Sequence, residues 1–191
     1  MAASSQTQTR TSNTGLLIMK KIVVIGPEST GKSTLSETLA QELHTLWVPE
    51  YARTYLEQLH RPYEETDMLH IARGQLQLEN EAAQKANGLL ICDTDLYVMK
   101  VWSEHSFHRC HPYIMEQIAA RTYDLYLLTD IDFEWTPDPL REHPTPEMRY
   151  YFYHQYRDIV QNSGVPWQNI SGPHEQRLTA ALAAIKDCIN Q

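Results

Sequence analysis

The sequence predicts an α/β fold in which a parallel sheet of five strands carries helices on both of its faces. The first observation is the alternation of five short strand-like runs with longer segments of helical spacing, a pattern that implies right-handed crossovers between parallel strands. The second is a glycine-bearing segment, residues 26–33, which lies between the first strand-like run and the first helical segment. The third is the placement of acidic residues directly after several runs, because such residues meet at one edge of a parallel sheet.

The glycine-bearing segment reads Gly-Pro-Glu-Ser-Thr-Gly-Lys-Ser and fits G-x-x-x-x-G-K-[ST], the phosphate-binding loop. Gly26 and Gly31 let the backbone turn tightly, so that successive N–H groups point at a phosphate. Lys32 would reach the β- and γ-phosphates, and the Ser33 hydroxyl would ligate Mg²⁺. The segment therefore predicts the P-loop NTPase fold with ATP and Mg²⁺ as cofactors. The expected nucleotide-binding residues of the segment are Gly26, Glu28, Ser29, Thr30, Gly31, Lys32, Ser33 and Thr34.

The remaining elements follow in order, and each rests on a change in hydrophobic spacing. The expected strands are 21–25, 45–48, 88–95, 123–130 and 167–170, and the expected helices are 34–43, 66–86, 148–161 and 175–189, with further helical segments up to about 121. Residues 132–149 contain four prolines and many charges. We expect them to form a lid loop over the site.

Length and composition limit the classes of function. A chain of 191 residues suits one domain, and a net charge of −8 with only 16 Lys and Arg does not favour nucleic acid, where affinity comes from neutralising phosphates. The three cysteines do not form a disulfide framework, and no apolar run approaches the ~20 residues of a membrane span. We therefore expect a cytoplasmic protein without membrane association that acts on a small molecule. Residues 1–18 are expected to be a disordered tail, and residues 19–191 a P-loop domain.

Three carboxylates at predicted strand ends are candidates for catalysis. Asp93 and Asp95 follow the third strand and Glu50 follows the second, on the same edge as the phosphate-binding loop. Phosphoryl transfer needs one carboxylate to hold Mg²⁺ and another to orient or deprotonate the acceptor hydroxyl. We expect Asp93 and Ser33 to be the metal ligands, while the choice of base among the three carboxylates stays open. The alternative for one of the two aspartates is a helix cap.

Arg141 and Arg149 are the cations expected to act from the lid loop. A loop that carries arginines over the γ-phosphate would stabilise charge in the transition state and exclude water. We therefore expect both arginines to be catalytic and Arg141 also to contact the nucleotide. The alternative is that they are solvated among acidic neighbours.

Residues around the second strand, together with two tryptophans, are candidates for binding the acceptor. An aromatic ring can stack on a flat base, and a cationic base would gain about 1–2 kcal/mol of cation–π energy. The alternative is that each aromatic residue belongs to the core. The substrate-binding candidates are Glu50, Tyr51, Arg53, Tyr55, Asp95, Trp102 and Trp135.

These motifs, taken in order over residues 19–190, resemble the C-terminal ribosylnicotinamide kinase domain of the bifunctional NadR-type NAD-biosynthesis proteins. The resemblance implies a stand-alone P-loop kinase domain that transfers the γ-phosphoryl group of ATP to the 5′-hydroxyl of nicotinamide riboside, giving nicotinamide mononucleotide. It rests on the phosphate-binding loop and on the segments Val48–Arg53, Ile71–Gln75, Cys92–Asp95, Tyr123–Leu128, Asp132–Arg141 and Gly172–Arg177.

Two alternatives stay open at this point. The first is a kinase for another nucleoside or small metabolite, because the same architecture serves many acceptors. The second is a nucleotide-dependent switch or sensor without an acceptor substrate. A GTPase switch would carry an Asn-Lys-x-Asp and an Asp-x-x-Gly element, and the sequence contains neither.

Overall fold

The computed structural model describes residues 19–190, so the tail expected at residues 1–18 lies outside the described part of the chain. These residues fold around one sheet of five strands in the order β2-β3-β1-β4-β5. Every neighbouring pair runs parallel, which confirms the predicted fold class. The strands are β1 (Lys20–Ile25), β2 (Leu46–Val48), β3 (Leu89–Asp93), β4 (Leu125–Thr129) and β5 (Trp167–Ile170).

Helices cover both faces of this sheet. The buried side chains of the first and last helices pack on one face, and those of the five helices between them pack on the other. None of the helices within residues 19–190 combines the length and apolar composition needed to cross a membrane. The helices are α1 (Lys32–Glu42), α2 (Tyr51–Glu57), α3 (Glu65–Lys85), α4 (Leu96–Phe107), α5 (Pro112–Ala120), α6 (Pro146–Asn162) and α7 (His174–Ile189).

The central strand β1 explains why the core forms on both faces. Its residues 22–25 are completely buried between β3 and β4. Ile22 and Val24 pack with α1 and α7, whereas Val23 and Ile25 pack with the opposite helical layer. This alternation follows from the two-residue period of a strand, and it leaves the phosphate-binding loop at the strand's carboxyl end.

The observed elements differ from the predicted ones at several points, and those beside the phosphate-binding loop matter most. The helix α1 begins at Lys32, directly after the phosphate-binding loop, and the short helix α2 had not been predicted. The strand expected at 88–95 ends at Asp93, because Thr94 takes a left-handed φ of 71° and Asp95 is already the N-cap residue of α4. The two aspartates of this segment therefore belong to different elements.

Candidate active site

A cleft opens at the carboxyl edge of the sheet, above the phosphate-binding loop. Most of the predicted nucleotide-binding residues and several acceptor candidates lie in it. Its walls come from the phosphate-binding loop, α2, α4, the lid loop and α6. The lining residues are Gly26, Glu28, Ser29, Thr30, Gly31, Lys32, Ser33, Thr34, Glu50, Ala52, Arg53, Leu56, Val98, Trp102, Leu140, Arg141 and Tyr156.

Two glycines shape the phosphate-binding loop. Gly26 has a φ of +150°, and a Cβ added there would lie 2.3 Å from Thr129 Oγ1. Gly31 has a φ of +77° and is the N-cap residue of α1. The free N–H groups of the first turn of α1, with the positive end of its dipole, therefore face the cleft and favour an anion there.

The hydroxyl groups of two threonines join this loop to β4 through hydrogen bonds. Thr30 Oγ1 donates to the Pro27 carbonyl oxygen at 2.8 Å and lies 2.8 Å from Thr129 Oγ1. Thr129 Oγ1 also donates to the Ile25 carbonyl oxygen at 3.2 Å. Because the Thr30 side chain is used inside the loop, its main chain is the part that is available to a phosphate.

Lys32 lies at the start of α1 and reaches back across the phosphate-binding loop. Its Nζ donates to the Pro27 carbonyl oxygen at 2.7 Å. The ammonium group is close enough to Glu28 and Asp93 for its charge to lower the pKa of both carboxyls. It can therefore reach an anion bound over the N-terminus of α1.

Asp93 ends β3 directly beneath the loop and is 1% exposed. Neither of its carboxylate oxygens has a hydrogen-bond partner among the described residues. Burial, assisted by the charge of Glu50, raises its pKa to about 7, and the neighbouring Lys32 and Ser33 oppose that rise. Two orphaned carboxylate oxygens beside a serine hydroxyl suit a hard divalent cation, so Ser33 and Asp93 could hold Mg²⁺.

The structure corrects the expectation for Asp95. Its Oδ1 accepts from the Tyr97 main-chain N–H at 2.9 Å, and its Oδ2 accepts from the Tyr126 hydroxyl at 2.7 Å. Burial raises its pKa to about 7. The side chain faces a separate cavity between α4, α5 and β4 and does not line the cleft. It therefore caps α4, and its geometry fits neither a base nor a substrate ligand in the cleft.

Tyr51 and Tyr55 are also corrected, because both side chains lie away from the cleft. The Tyr51 ring packs against Gly74 of α3, where an added Cβ would lie 2.0 Å from Tyr51 Cε1. The Tyr55 hydroxyl donates to Asp67 Oδ1 at 2.7 Å, and its ring stacks on His70. Both tyrosines therefore join α2 to α3 and do not form a wall for the acceptor.

Glu50 and Arg53 do line the cleft, one on either side of the start of α2. Glu50 is the N-cap residue of α2, but its side chain makes no capping hydrogen bond. Arg53 Nη2 donates to Asp138 Oδ2 at 2.9 Å, and this pair joins α2 to the lid loop. The carboxylate of Glu50 is therefore free to meet a hydroxyl group in the cleft.

The lid loop is bonded to the phosphate-binding loop at two points. Ser29 Oγ accepts from the Thr136 main-chain N–H at 2.9 Å and lies 3.4 Å from Arg141 Nη1. Glu28 Oε2 accepts from the main-chain N–H groups of Glu142 at 3.1 Å and His143 at 3.3 Å. These contacts hold Arg141 over the phosphate-binding loop, as expected for a lid arginine.

Arg149 and Trp135 lie beside the cleft and not in it. They line a small adjoining pocket that also contacts Glu28 and Trp102. Arg149 Nη2 donates to the Phe133 carbonyl oxygen at 2.9 Å, and its guanidinium carbon lies 6.0 Å from the centre of the Trp135 ring. In this arrangement Arg149 supports the lid and does not line the cleft, so its predicted catalytic role stays a prediction.

An aromatic wall faces the phosphate-binding loop from the opposite side of the cleft. Trp102 of α4 stacks on Tyr63 with ring centres 5.9 Å apart and planes inclined by 8°. Tyr156 of α6 lies in the same wall, and it also belongs to the core cluster that contains Phe152 and Val160. Burial and the charges of Glu50 and Glu28 raise the pKa of the Tyr156 phenol, in that order of importance.

Arg177 supports the site, although it was not among the site residues predicted from the sequence. Its side chain is 2% exposed and donates to the carbonyl oxygens of Gly172 (2.8 Å), Thr30 (3.1 Å) and Asp130 (3.1 Å). It also pairs with Asp132 at the start of the lid loop. Arg177 therefore joins α7, the phosphate-binding loop and the lid. In the sequence, the only indication of its importance was that it lies in segment 172–177, on which the family resemblance partly rests.

This arrangement has relatives among known proteins. The family described as an AAA domain matches residues 21–177, from β1 through the phosphate-binding loop and the lid to Arg177. The chain belongs to this AAA domain family.

Curated relatives of this AAA domain include the trifunctional NAD biosynthesis/regulator proteins NadR of Salmonella typhimurium and Escherichia coli. The Salmonella protein is 23% identical over 180 residues, which cover 91% of this chain and 43% of the relative. The Escherichia coli protein is 30% identical over 129 residues, which cover 64% of this chain and 31% of the relative. The resemblance to NadR is therefore confirmed, and the chain spans less than half the length of these relatives.

Solved structures give the same result for the fold of the AAA domain. A crystal structure of NadR protein in complex with NR superposes with a TM-score of 0.75 at 23% identity, covering 91% of this chain and 50% of that one. A thymidylate kinase from Ehrlichia chaffeensis superposes with a TM-score of 0.61 at 15% identity, covering 89% and 98%. At these identities the matches establish the fold alone.

Proposed function

We propose that this chain is an ATP-dependent kinase for a small molecule, and that it phosphorylates the 5′-hydroxyl of nicotinamide riboside to give nicotinamide mononucleotide. The observation that carries the proposal is one cleft in which a phosphate-binding loop faces an aromatic, carboxylate-bearing wall beneath an arginine lid. The homology to NadR, and the complex of NadR protein with NR, support this choice of acceptor.

The phosphate-binding loop and the lid would hold the triphosphate of ATP from two sides. The N–H groups that begin α1 and the ammonium group of Lys32 face the same part of the cleft. Arg141 lines the cleft from the lid, within reach of Ser29. Positive groups on both sides would stabilise the charge that spreads over the transferred phosphoryl oxygens in the transition state.

Ser33 and Asp93 are the residues that would hold Mg²⁺. The orphaned oxygens of Asp93 and its raised pKa describe a buried carboxylate whose nearby positive charges do not offset the cost of its burial. A divalent cation, when bound, would neutralise phosphate charge and orient the nucleotide. It would also relieve the cost of burying this carboxylate.

Glu50 is the carboxylate that we assign as the base. Asp95 is sealed in another cavity, and Asp93 suits the metal, whereas Glu50 lines the cleft without a cap hydrogen bond. Its carboxylate would orient the 5′-hydroxyl and accept its proton as the phosphoryl group is transferred. Arg53, which is held by Asp138, lines the same cleft.

Trp102 and Tyr156 would receive the ring of the acceptor. Both side chains line the cleft, together with the apolar side chains of Leu56 and Val98. A pyridinium ring that stacks there would gain dispersion and cation–π energy, about 1–2 kcal/mol for the cation–π part when it is desolvated. The wall would also accept other flat bases, so a kinase for another nucleoside is the second candidate.

A coupled assay with Mg-ATP tests the proposal. Nicotinamide riboside is compared with uridine, cytidine, adenosine and thymidine, and Lys32→Ala serves as the inactive control. Selective turnover of nicotinamide riboside is the expected result. Turnover of another nucleoside alone would replace the acceptor but keep the kinase. ATP hydrolysis that none of these acceptors stimulates would instead favour a nucleotide switch.

A further inference from the structure

The two carboxylate oxygens of Glu28 have different surroundings. Oε2 accepts the main-chain N–H groups of Glu142 and His143 in the lid loop. Oε1 is buried and has no hydrogen-bond partner among residues 19–190. A buried carboxylate oxygen without a partner costs free energy, so a donor or a positive charge beside it would be stabilising.

This oxygen belongs to the part of the site that contains the aromatic wall. Glu28 lines the cleft and also the small pocket beside it, in both cases together with Trp102 and Tyr156. The charges of Glu28 and Glu50 both act on the Tyr156 phenol. The phosphate-binding loop thus presents a carboxylate at the edge of the surface on which a flat ring would stack.

The groups around Glu28 shift the pKa of its carboxyl in opposite directions. Burial raises the pKa of its carboxyl, while the two lid N–H groups and Lys32 lower it. The ammonium group of Lys32 is itself bonded to the Pro27 carbonyl oxygen. A cation that entered the cleft would therefore add a favourable partner for an ionised carboxylate that its own loop does not fully compensate.

We infer that Oε1 of Glu28 selects acceptors whose flat ring carries a positive charge, while Oε2 keeps the lid bonded to the phosphate-binding loop. The inference rests on the proposed kinase function and names the class of acceptor. It gives the phosphate-binding loop a second task, because one side chain contacts both the lid and the ring of the acceptor. A neutral ring of the same shape would stack on Trp102 but lose the attraction to Glu28.

The variant that tests this inference is Glu28→Gln. The amide oxygen can still accept the two lid N–H groups, whereas the negative charge is gone. Equilibrium dissociation constants are measured for nicotinamide riboside and for its uncharged 1,4-dihydro form, with Mg²⁺ and a non-hydrolysable ATP analogue present. The wild type should bind the cation at least about tenfold more tightly than the neutral form, and Glu28→Gln should lower this ratio about tenfold.

Two control variants separate charge recognition from other effects. Glu147→Gln removes an exposed negative charge from the end of the lid loop, where it makes no hydrogen bond or ion pair among the described residues, so the ratio should stay at its wild-type value. Ser29→Ala removes a lid contact without removing a charge, so the affinities for both forms should change by the same factor. Thermal unfolding of Glu28→Gln near the wild-type temperature shows that the comparison is made between folded proteins.

Three results would overturn the inference. They are equal or undetectable binding of the two forms by the wild type, an unchanged ratio in Glu28→Gln, and an equal fall of the ratio in Glu147→Gln. Binding is measured without turnover, so this inference and the proposed function can be contradicted independently of each other. A cation preference without phosphorylation of nicotinamide riboside would overturn the function alone, and phosphorylation without the preference would overturn the inference alone.

Discussion

Asp93 and Asp95 show how two like residues, two positions apart, acquire different tasks. Asp93 keeps both carboxylate oxygens free of hydrogen bonds beneath the phosphate-binding loop. Asp95 has both oxygens engaged, by the Tyr97 N–H and the Tyr126 hydroxyl. The left-handed residue between them, Thr94, turns the chain from strand to helix and gives the two side chains different surroundings.

The two aspartates should respond differently to the same substitution. Asp93→Asn should lower kcat by about 10³-fold or more, because a neutral amide is a poor ligand for the metal that the reaction needs. Asp95→Asn should keep kcat within about tenfold of the wild type, because the amide oxygen can still accept from the Tyr97 N–H and the amide nitrogen can donate to the Tyr126 hydroxyl oxygen. Steady-state kinetics on folded variants checks both values. A larger loss in Asp95→Asn than in Asp93→Asn would return the catalytic role to Asp95.

Among the elements, α2 and α3 show how a residue with low helix propensity can be required by a contact between two helices. Gly74 lies inside α3, where glycine costs about 1 kcal/mol relative to alanine. The absence of its Cβ admits the Tyr51 ring, and the Tyr51 N–H donates to Gln75 Oε1 at 2.7 Å. This contact sets the start of α2, and therefore the positions of Glu50 and Arg53 in the cleft.

Gly74→Ala should destabilise the fold by about 2 kcal/mol, because overpacking against Tyr51 outweighs the gain in helix propensity. The same change in a Tyr51→Ala background should instead be neutral or stabilising, because the clash is gone. Urea unfolding of the four proteins in this double-mutant cycle measures the coupling. An equal effect of Gly74→Ala in both backgrounds would rule out the ring contact as its cause.

The N-terminus of α3 is held by one carboxylate with several partners. Asp67 accepts from the Glu64 main-chain N–H, the Tyr55 hydroxyl and both terminal nitrogens of Arg61. The Arg61 guanidinium is the main cause that holds the pKa of Asp67 well below its usual range. A folded-state pKa below the unfolded one stabilises the fold above the unfolded value and loses that contribution as the pH falls.

Asp67→Asn should therefore lower the free energy of unfolding by about 1–2 kcal/mol at pH 7. The expected loss is this small because the Arg61 side chain is 44% exposed, so that solvent screens its charge. The difference from the wild type should shrink as the pH falls from ~5 to ~2, since the wild type then loses its charged interactions. Urea unfolding across this pH range checks the trend, with the exposed Asp187→Asn as the control. A difference that is constant with pH would contradict an electrostatic origin.

For the whole molecule, Arg177 joins parts of the chain that are far apart in sequence. One buried guanidinium bonds the carbonyl oxygens of Thr30, Asp130 and Gly172 and the carboxylate of Asp132. It also lies 4.2 Å from the centre of the Phe133 ring. The phosphate-binding loop and the base of the lid are thus held by the same side chain of the last helix.

Arg177→Ala should lower the free energy of unfolding by about 3 kcal/mol or more, because it leaves several buried acceptors without a donor. Arg177→Lys should restore only part of this loss, since an ammonium group cannot match the fork of the guanidinium. Both variants should also raise KM for ATP, while Lys186→Ala on the exposed side of α7 should change neither quantity. Chemical denaturation and nucleotide kinetics provide the two readouts. A destabilised variant with normal KM would limit Arg177 to the core.

The sequence by itself determined the five strands, most of the helices, the phosphate-binding loop and the family resemblance, because these depend on local spacing and on contiguous motifs. The tertiary structure decided which side chains enter the cleft. Asp95, Tyr51 and Tyr55 have residue types that suit a site, yet their partners on β4 and α3 hold them elsewhere. Tyr156 and Arg177 enter the site through packing between distant segments. Side-chain direction depends on contacts between residues far apart in sequence, and local spacing carries no information about those contacts.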